Sequence, residues 1–221
     1  RYRQQRLVPN AIEPRGVLVQ PAPAQGEFTM WSATQIPHVL RVTLALTTGI
    51  PEAKLRVIAP DVGGGFGSKL DVYAEEALLL VVARKLGLPV KWIEERSEGY
   101  LATIHGRDVV QEIEFAATAE GKVTAVRARA WANMGAYLSH PGPLINTLPP
   151  ALHAANLYRI PAIHGLHRLA LTNTAPTCPY RGAGRPNVSY LAERLVEEAA
   201  RETGIDRIEL RRRNLIPKEA F

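Results

Sequence analysis

Two glycine-rich turns, each ahead of an expected helix, most constrain what this chain can fold into. The first follows an expected strand over 54–59 and reads Gly63-Gly64-Gly65-Phe66-Gly67. Consecutive glycines expose backbone N–H groups at the positive end of a helix, and they let a ligand approach the main chain closely. The spacing is neither that of a phosphate-binding P-loop nor that of a dinucleotide-binding turn. Taken alone, the stretch favours a tight turn over a binding loop.

The second turn runs from Tyr180 to Arg185 and precedes a helix opened by Pro186. It places glycines and two guanidinium groups near a helix N-terminus, a setting that suits a phosphate or another anion. The alternative is a helix entry with solvated arginines. Because two such turns occur in one chain, a shared anionic cofactor is more attractive than either turn suggests alone.

Residue periodicity predicts an α+β fold with mixed sheets and packed helices. Apolar positions on all sides over 77–83 predict that one helix is buried between layers, whereas residues 135–158 show no clear pattern. Strands are predicted over 27–32, 54–59, 90–93, 109–117, 123–131 and 163–171. Helices are predicted from Pro37 to Gly49, from an Asp71 N-cap to Gly87, from Pro186 to Gly204, and after an Asp206 cap.

The basic charge of the chain does not by itself indicate a nucleic-acid partner. The formal charge is +6, but the basic residues are spread along the chain and mixed with 21 acids. The densest cluster, Arg211, Arg212 and Arg213, follows Glu209 in an expected short helix. We therefore expect a surface or subunit-contact role for this cluster and no nucleic-acid binding.

The single cysteine, Cys178, excludes an internal disulfide and a cysteine-ligated cluster built within this chain. A reducing compartment is the default, and we expect a cytoplasmic location. No apolar run reaches the roughly 18 residues of a membrane span, and the first ten residues are too polar for a signal peptide. The chain lacks a starting Met, so an N-terminal extension stays open.

Three motifs occur in order: Trp31-Ser32-Ala33-Thr34-Gln35, VIAPDVGGGFGSK at 57–69, and PYRGAGR at 179–185. In order and spacing they resemble the molybdopterin-binding large subunits of the xanthine dehydrogenase family. The likeness is closest to homologues of the aerobic carbon monoxide dehydrogenase large subunit that carry AYRGAGR, and it runs over essentially all 221 residues.

The resemblance implies that 1–221 is a fragment, a partial molybdenum-cofactor-binding domain of aldehyde oxidase and xanthine dehydrogenase type. It can be subdivided near residue 105. The unit 1–104 then carries the GGGFG loop, and 105–221 carries the hairpin, the YRGAGR turn and the C-terminal helices.

The resemblance also implies roles for individual residues. Gln35 would hydrogen-bond an oxygen ligand of molybdenum, while Phe66 and Gly67 line the metal's surroundings and Arg181 holds the metal or pterin region. An amide donor and a water-excluding ring suit these roles. The alternatives are an edge-strand polar residue for Gln35 and ordinary core for Phe66. The expected cofactor-binding residues are Gln35, Gly64, Gly65, Phe66, Gly67, Arg181 and Gly182.

The chain departs from relatives that hydroxylate purines at three positions. Those relatives have an acid after GGGFGGK, an aromatic residue in the turn RGFG, and an arginine ahead of a YxIP segment. Here the matching residues are Leu70, Ala183 and Pro149. The pocket therefore lacks the acid, the stacking ring and the guanidinium, which argues against xanthine as the substrate.

The chain also departs from the copper-containing carbon monoxide dehydrogenases. Their turn reads YRCSFR, with a cysteine that bridges copper to molybdenum, whereas the matching residue here is Gly182. Cys178 lies four positions earlier and is expected to be a small buried or loop thiol. We therefore expect no direct protein ligand to a metal in this chain, and carbon monoxide oxidation is disfavoured.

The general-base glutamate of the family lies in its C-terminal half and has no counterpart here, so the catalytic residue is unknown. The resemblance implies a molybdenum–molybdopterin cofactor in its cytosine dinucleotide form, with [2Fe-2S] clusters and FAD on partner subunits. The expected partners are an iron–sulfur small subunit and an FAD medium subunit in a dimer of heterotrimers.

The function implied is that of a molybdenum hydroxylase large subunit, an oxidoreductase acting on an aldehyde, an N-heterocycle or, as the less favoured chemistry, carbon monoxide. The alternative is a non-catalytic cofactor-binding or assembly fragment that lacks the base glutamate. A nucleic-acid-binding domain ranks last, because aromatic residues make up only 6% of the chain and basic residues do not group.

Overall fold

The computed structural model describes residues 1–220, which form two four-stranded sheets and six α-helices. Each sheet mixes parallel and antiparallel neighbours, so the predicted α+β fold with mixed sheets is confirmed. The strands are β1 (Tyr2–Leu7), β2 (Gly16–Ala22), β3 (Glu27–Ser32), β4 (Leu55–Ile58), β5 (Val90–Ile93), β6 (Gly106–Ala117), β7 (Val123–Gly135) and β8 (Ala162–Leu171). The helices are α1 (Pro37–Thr48), α2 (Ala74–Leu86), α3 (Arg96–Ala102), α4 (Gly142–Leu152), α5 (Arg185–Thr203) and α6 (Arg207–Asn214).

The first sheet has the strand order β4-β3-β2-β5. Strands β2 and β3 form an antiparallel hairpin, and β3 lies parallel to β4. A parallel pair needs a crossover connection, which α1 supplies. The predicted strands over 27–32, 54–59 and 90–93 and the helix that starts at Pro37 are thereby confirmed.

Helices α1 and α2 cover one face of this sheet and close its hydrophobic core. Leu40 and Leu44 of α1 meet Leu80 of α2 over the inward side chains Val19 and Met30, and all five are fully buried. Each such side chain contributes about 1.5–3 kcal/mol to folding. The packing fixes the connections that leave β3 and β4, where the predicted site residues lie.

The second sheet has the order β1-β6-β7-β8. Strands β6 and β7 form the predicted antiparallel hairpin, and β8 lies parallel to β7, with α4 between them in the chain. The N-terminal strand β1 pairs antiparallel with β6. The N-terminal strand β1 thus lies in the same sheet as the strands that follow residue 105. The subdivision of the chain near residue 105 stays a prediction.

Helices α5 and α6 pack together beside the second sheet, where Tyr158, Val196 and Leu210 form a small buried cluster. As predicted, Asp206 caps α6, and its carboxylate accepts hydrogen bonds from the N–H groups of Ile208 and Glu209. Glu209 pairs with Arg213 of the same helix.

The arginine cluster at 211–213 takes part in ion pairs within the chain. Arg211 reaches Glu193 and Glu197 at 3.0 and 2.8 Å, and Arg213 reaches Glu209 at 2.9 Å. The Arg211 pairs tie α6 to α5, whereas the Arg213 pair lies within α6, so two of the three charges are neutralised.

Two expectations about α2 are wrong. Asp71 is not its N-cap: the helix begins at Ala74, and the Asp71 carboxylate accepts hydrogen bonds from the N–H groups of Val72 and His140 instead. Nor is α2 buried on every side, because Leu78 is 59% exposed. Within residues 1–220 only one face of α2 has the first sheet and α1 to pack against.

Helix α4 lies within residues 135–158, where no clear sequence pattern was found. Pro149 and Pro150 lie inside the helix near its C-terminal end, and prolines at such positions normally argue against a helix. Because neither proline has an N–H, the helical bonds to the carbonyl oxygens of Ile145 and Asn146 are missing, while the N–H of Ile145 still bonds to Pro141 and that of His153 to Pro149.

Across residues 1–220, no helix combines the length and the apolar composition that crossing a membrane would need.

Candidate cofactor-binding site

Gln35 lies just beyond β3 and is fixed at two points. Its backbone N–H donates to the carbonyl oxygen of Lys69 at 2.8 Å, and its side-chain Oε1 accepts from the N–H of Gly67 at 3.0 Å. Because only the carbonyl oxygen of an amide can accept, this contact also orients the NH2 group. Among residues 1–220 that NH2 group has no hydrogen-bond acceptor, and Gln35 is exposed. It is therefore a positioned donor.

The glycine loop 63–67 adopts a conformation that side chains would block. Gly64 and Gly67 have φ values of 96° and 106°, and a Cβ on Gly65 would overlap the Gln35 side chain. Phe66 is held at φ 53°, an uncommon value for a bulky residue that costs about 1–3 kcal/mol. Surrounding contacts must hold this strain in place.

The second turn supplies these contacts, because it packs directly on the glycine loop. The N–H of Arg181 donates to the carbonyl oxygen of Phe66 at 2.8 Å. Gly67 lies so close to Pro179 that a Cβ would be 2.6 Å from the Pro179 carbonyl carbon. The two glycine-rich segments, far apart in sequence, thus form one surface.

The turn 180–185 is stabilised from within and from β6. The N–H of Ala183 donates to the Tyr180 carbonyl oxygen at 2.8 Å. The Arg107 guanidinium donates to the carbonyl oxygens of Arg181 and Tyr180, at 2.7 and 3.3 Å. Burial lowers the pKa of Arg107 from its ordinary value, although a guanidinium stays charged at neutral pH. Sequence reasoning missed Arg107, because nothing local marks its contact with a turn more than seventy residues away.

Arg181 and Phe66 present a charged and an aromatic group to the same exposed surface. The guanidinium carbon of Arg181 lies 5.8 Å from the centre of the Phe66 ring, within range of a cation–π contact. Phe66 is 40% exposed, and Arg181 is also exposed. Phe66 is therefore not ordinary core in residues 1–220.

An ion pair between the buried Lys69 and the partly exposed Glu13 lies beside the glycine loop. The ammonium of Lys69 contacts Oε2 of Glu13 at 2.6 Å, and the same oxygen accepts from the N–H of Gly63 at 2.7 Å. Burial opposes ionisation of Glu13, but the hydrogen bonds from Lys69 and Gly63 outweigh it and hold its pKa below the ordinary value. No local sequence pattern marks this pair, whose members lie 56 residues apart.

A second buried network joins β2 and β5 to α2. Arg15 donates to Glu94 at 2.7 Å and to Glu75 at 3.1 Å, and its guanidinium lies over the Tyr73 ring. Desolvation opposes ionisation of Glu94, yet its bonds with Arg15 hold its pKa below normal. Burial raises the pKa of Glu76, whose carboxylate accepts from Ser32 Oγ at 2.7 Å. This network anchors the base of β3, from which Gln35 projects.

The residues at which the chain departs from some relatives are now located. Cys178 is buried, and burial raises its pKa, so it is a protonated thiol at neutral pH. Gly182, at φ 98°, has no side chain that could contact a metal. Pro149 of α4 lies near Gly184, whose added Cβ would be 3.4 Å from it.

Most residues predicted for the site come together in space. Gln35, Gly65 and Gly67 meet through the Gln35 side chain, and Phe66 meets Arg181. Gly64 lies against the Phe66 ring, whereas Gly182 packs on Pro186 in the first turn of α5 and does not contact the glycine loop. The surface offers amide and guanidinium donors, and Glu13 beside it is already paired with Lys69. A donor-rich surface suits an anionic, oxygen-rich group such as a pterin phosphate.

Comparisons with known proteins identify the family of the chain. The sequence model of the "Molybdopterin cofactor-binding domain" family matches residues 1–215. The nicotine 6-hydroxylase large subunit of Paenarthrobacter nicotinovorans is 35% identical over 217 residues, which cover 97% of this chain and 27% of that protein. The carbon monoxide dehydrogenase large chain of Hydrogenophaga pseudoflava is 36% identical over 220 residues, 98% of this chain and 27% of that protein.

A solved structure also resembles the whole chain. Quinoline 2-oxidoreductase from Pseudomonas putida 86 superposes with a TM-score of 0.93 at 33% identity, over 100% of this chain and 29% of that one. The chain therefore spans about a quarter of the length of its relatives. The predicted resemblance to large subunits of molybdenum hydroxylases is confirmed, and this chain belongs to the molybdopterin cofactor-binding domain family.

Proposed function

We propose that this chain contributes part of the molybdopterin site in the large subunit of a molybdenum hydroxylase, an oxidoreductase. The observation that carries the proposal is the joining of the two glycine-rich turns by the Arg181 to Phe66 hydrogen bond, beside the oriented amide of Gln35. The cofactor contacts in this proposal are Gln35, Gly64, Gly65, Phe66, Gly67, Arg181 and Gly182.

Each group has a task that its position allows. When bound, the molybdenum cofactor supplies the two-electron redox chemistry of substrate hydroxylation. Gln35 donates a hydrogen bond to it, and the Arg181 guanidinium attracts its anionic edge. The Phe66 ring keeps water away, which strengthens both interactions. The glycines let the cofactor reach the main chain.

The cofactor form and the assembly are further parts of the proposal. We place the cytosine dinucleotide form of molybdopterin here, with [2Fe-2S] clusters on a small subunit and FAD on a medium subunit. We further propose that the large, medium and small subunits form a heterotrimer, and that two heterotrimers form a dimer in the cytoplasm. The support is family membership, together with relatives named as a large subunit and a large chain.

The substrate we propose is an aldehyde or an N-heterocycle. Two of the similar proteins are named for nicotine and quinoline, both of which are N-heterocycles. Leu70, Ala183 and Pro149 supply none of the acid, ring and guanidinium that would hold a purine. Gly182 supplies no thiolate for copper, which argues against carbon monoxide.

The test is the molybdenum and pterin content of the full-length protein, expressed from its complete gene with its neighbouring subunits. Gln35→Ala and Arg181→Ala each remove a donor, so we expect the cofactor to dissociate about tenfold faster or more. Gln25→Ala and Arg201→Ala, at exposed positions outside the site, are the matched controls. Wild-type protein without metal, under conditions that load another molybdoenzyme, would refute the proposal.

A second candidate is a non-catalytic cofactor-binding or assembly role without the base glutamate. The contacts proposed for Gln35, Phe66 and Arg181 are the same in both roles, so cofactor content alone does not separate them. The discriminating measurement is turnover of the loaded protein with an artificial electron acceptor. Stoichiometric molybdenum without turnover on any aldehyde or N-heterocycle would favour this second role.

A further inference from the structure

The Glu13–Lys69 pair lies where it can control the shape of the glycine loop. The Lys69 side chain is only 2% exposed, and its ammonium lies 2.6 Å from Glu13 Oε2. In the described part of the chain, Glu13 is the one acid within ion-pair distance of Lys69. A buried ammonium without a counter-ion costs several kcal/mol, so Lys69 depends on Glu13 for its position.

Glu13 also holds the other end of the loop. Its Oε2 accepts from the N–H of Gly63 at 2.7 Å, and its own N–H donates to the Gly63 carbonyl oxygen at 3.2 Å. One carboxylate oxygen therefore binds both Gly63, the first residue of the loop, and Lys69, which follows the loop. A neutral acceptor at this position could not offer the same strength to two donors at once.

The same pair reaches Gln35 through the main chain. The carbonyl oxygen of Lys69 accepts the backbone N–H of Gln35 at 2.8 Å, and Gln35 in turn holds Gly67 through its side chain. A displacement of Lys69 would move Gln35 and release Gly67. The chain of contacts runs from Glu13 through Lys69 and Gln35 to Gly67, the last residue of the loop.

We propose that Glu13 and Lys69 are positioning residues that clamp the glycine loop and Gln35 in the conformation that receives the cofactor. This inference rests on the proposed function for the identity of the ligand, but the clamp itself can be tested without it. Neither residue contacts the cofactor in this proposal. They act by fixing Gly63, Gly67 and Gln35.

The experiment measures amide hydrogen exchange in peptides covering 61–70 of the full-length protein, together with its molybdenum content. Glu13→Gln should speed exchange in this segment about tenfold and lower metal retention, because a charge-assisted bond is lost. Glu193→Gln is the matched control, because the Glu193 side chain is about as exposed as that of Glu13 and also pairs with a basic residue, Arg211 at 3.0 Å, but lies on α5. It should leave amide exchange in 61–70 at the wild-type rate.

If Glu13→Gln does not fold, the double variant Glu13→Gln/Lys69→Met removes both charges at similar volume. It should fold and still show fast exchange in 61–70, because the acceptor for the ammonium and the ammonium itself are both gone. Wild-type exchange rates in 61–70 for both Glu13→Gln and the double variant, or equal acceleration by Glu193→Gln, would overturn the clamp. Wild-type protein without metal would instead overturn the proposed function, while the exchange comparison would still decide the clamp.

Discussion

Gly67→Ala tests whether contact between the two turns shapes the site. Gly67 has φ 106°, and an added Cβ would lie 2.6 Å from the Pro179 carbonyl carbon and 3.2 Å from the Tyr180 Cα. Favourable contacts between carbon atoms are about 3.5–4.0 Å. Backbone strain of about 1–3 kcal/mol therefore adds to about 1–3 kcal/mol of overpacking, a total of about 2–6 kcal/mol.

Gly26→Ala is the matched control, because Gly26 also has a positive φ, 63°, but nothing lies within 4 Å of an added Cβ. It should cost only about 1–2 kcal/mol, the backbone term alone. The assay is urea unfolding of the full-length protein followed by tryptophan fluorescence, with molybdenum content measured in parallel. Trp31 lies on β3, close to Gln35, and reports on this region.

We expect Gly67→Ala to be less stable than Gly26→Ala by at least about 1 kcal/mol, and to lose the cofactor because the loop and turn separate. Equal stability of the two variants with full metal content would refute the reasoning. It would mean that the contact between Gly67 and Pro179 does not determine the shape of the site.

Three further predictions concern the fold. Leu80→Ala should cost about 2–5 kcal/mol in urea unfolding, because Leu80 is fully buried between α2 and the first sheet; a loss under about 1 kcal/mol would contradict this packing. Asp206→Ala should cost about 1 kcal/mol through loss of the α6 cap, and an unchanged urea midpoint would count against it. Hydrogen bonds from Arg15 depress the pKa of Glu94 in the folded protein. The ionised carboxylate therefore contributes fully to the free energy of unfolding above the unfolded-state pKa of about 4.3, and this contribution is lost as the pH falls through the lower folded-state pKa. Stability measured against pH should therefore fall less steeply in acid for Glu94→Gln than for wild type, and identical profiles would be inconsistent with a depressed pKa.

The strands and helices around the site could be predicted, because each depends on residues close together in the sequence. Alternation gave β3, and Pro37 and Gly49 marked the ends of α1. The glycine run placed the loop between β4 and α2. These features depend on residues a few positions apart, which sequence periodicity can detect.

Contacts between distant segments could not be predicted in the same way. Glu13 pairs with Lys69, and Arg107 donates to the turn at Arg181, across more than fifty residues in each case. Asp71 looked like a helix cap because it precedes an apolar run, yet its carboxylate accepts from His140 instead. Tertiary hydrogen bonds decided these positions over local preference.

The cofactor was predicted from the family resemblance, since the geometry alone indicates only an anionic ligand. The three motifs predicted Gln35, Phe66 and Arg181 as contacts, and the structure brings these residues to one exposed surface. Their roles toward the cofactor stay predictions. The supporting residues beneath them, which no motif marks, came only from the structure.

The most direct test of the cofactor site is the location of molybdenum by anomalous diffraction at its absorption edge, on crystals of the loaded full-length protein. We expect the anomalous peak beside the Gln35 amide, next to Phe66 and Gly67. A peak at a surface remote from these residues, with the two glycine-rich turns free of cofactor, would contradict the account.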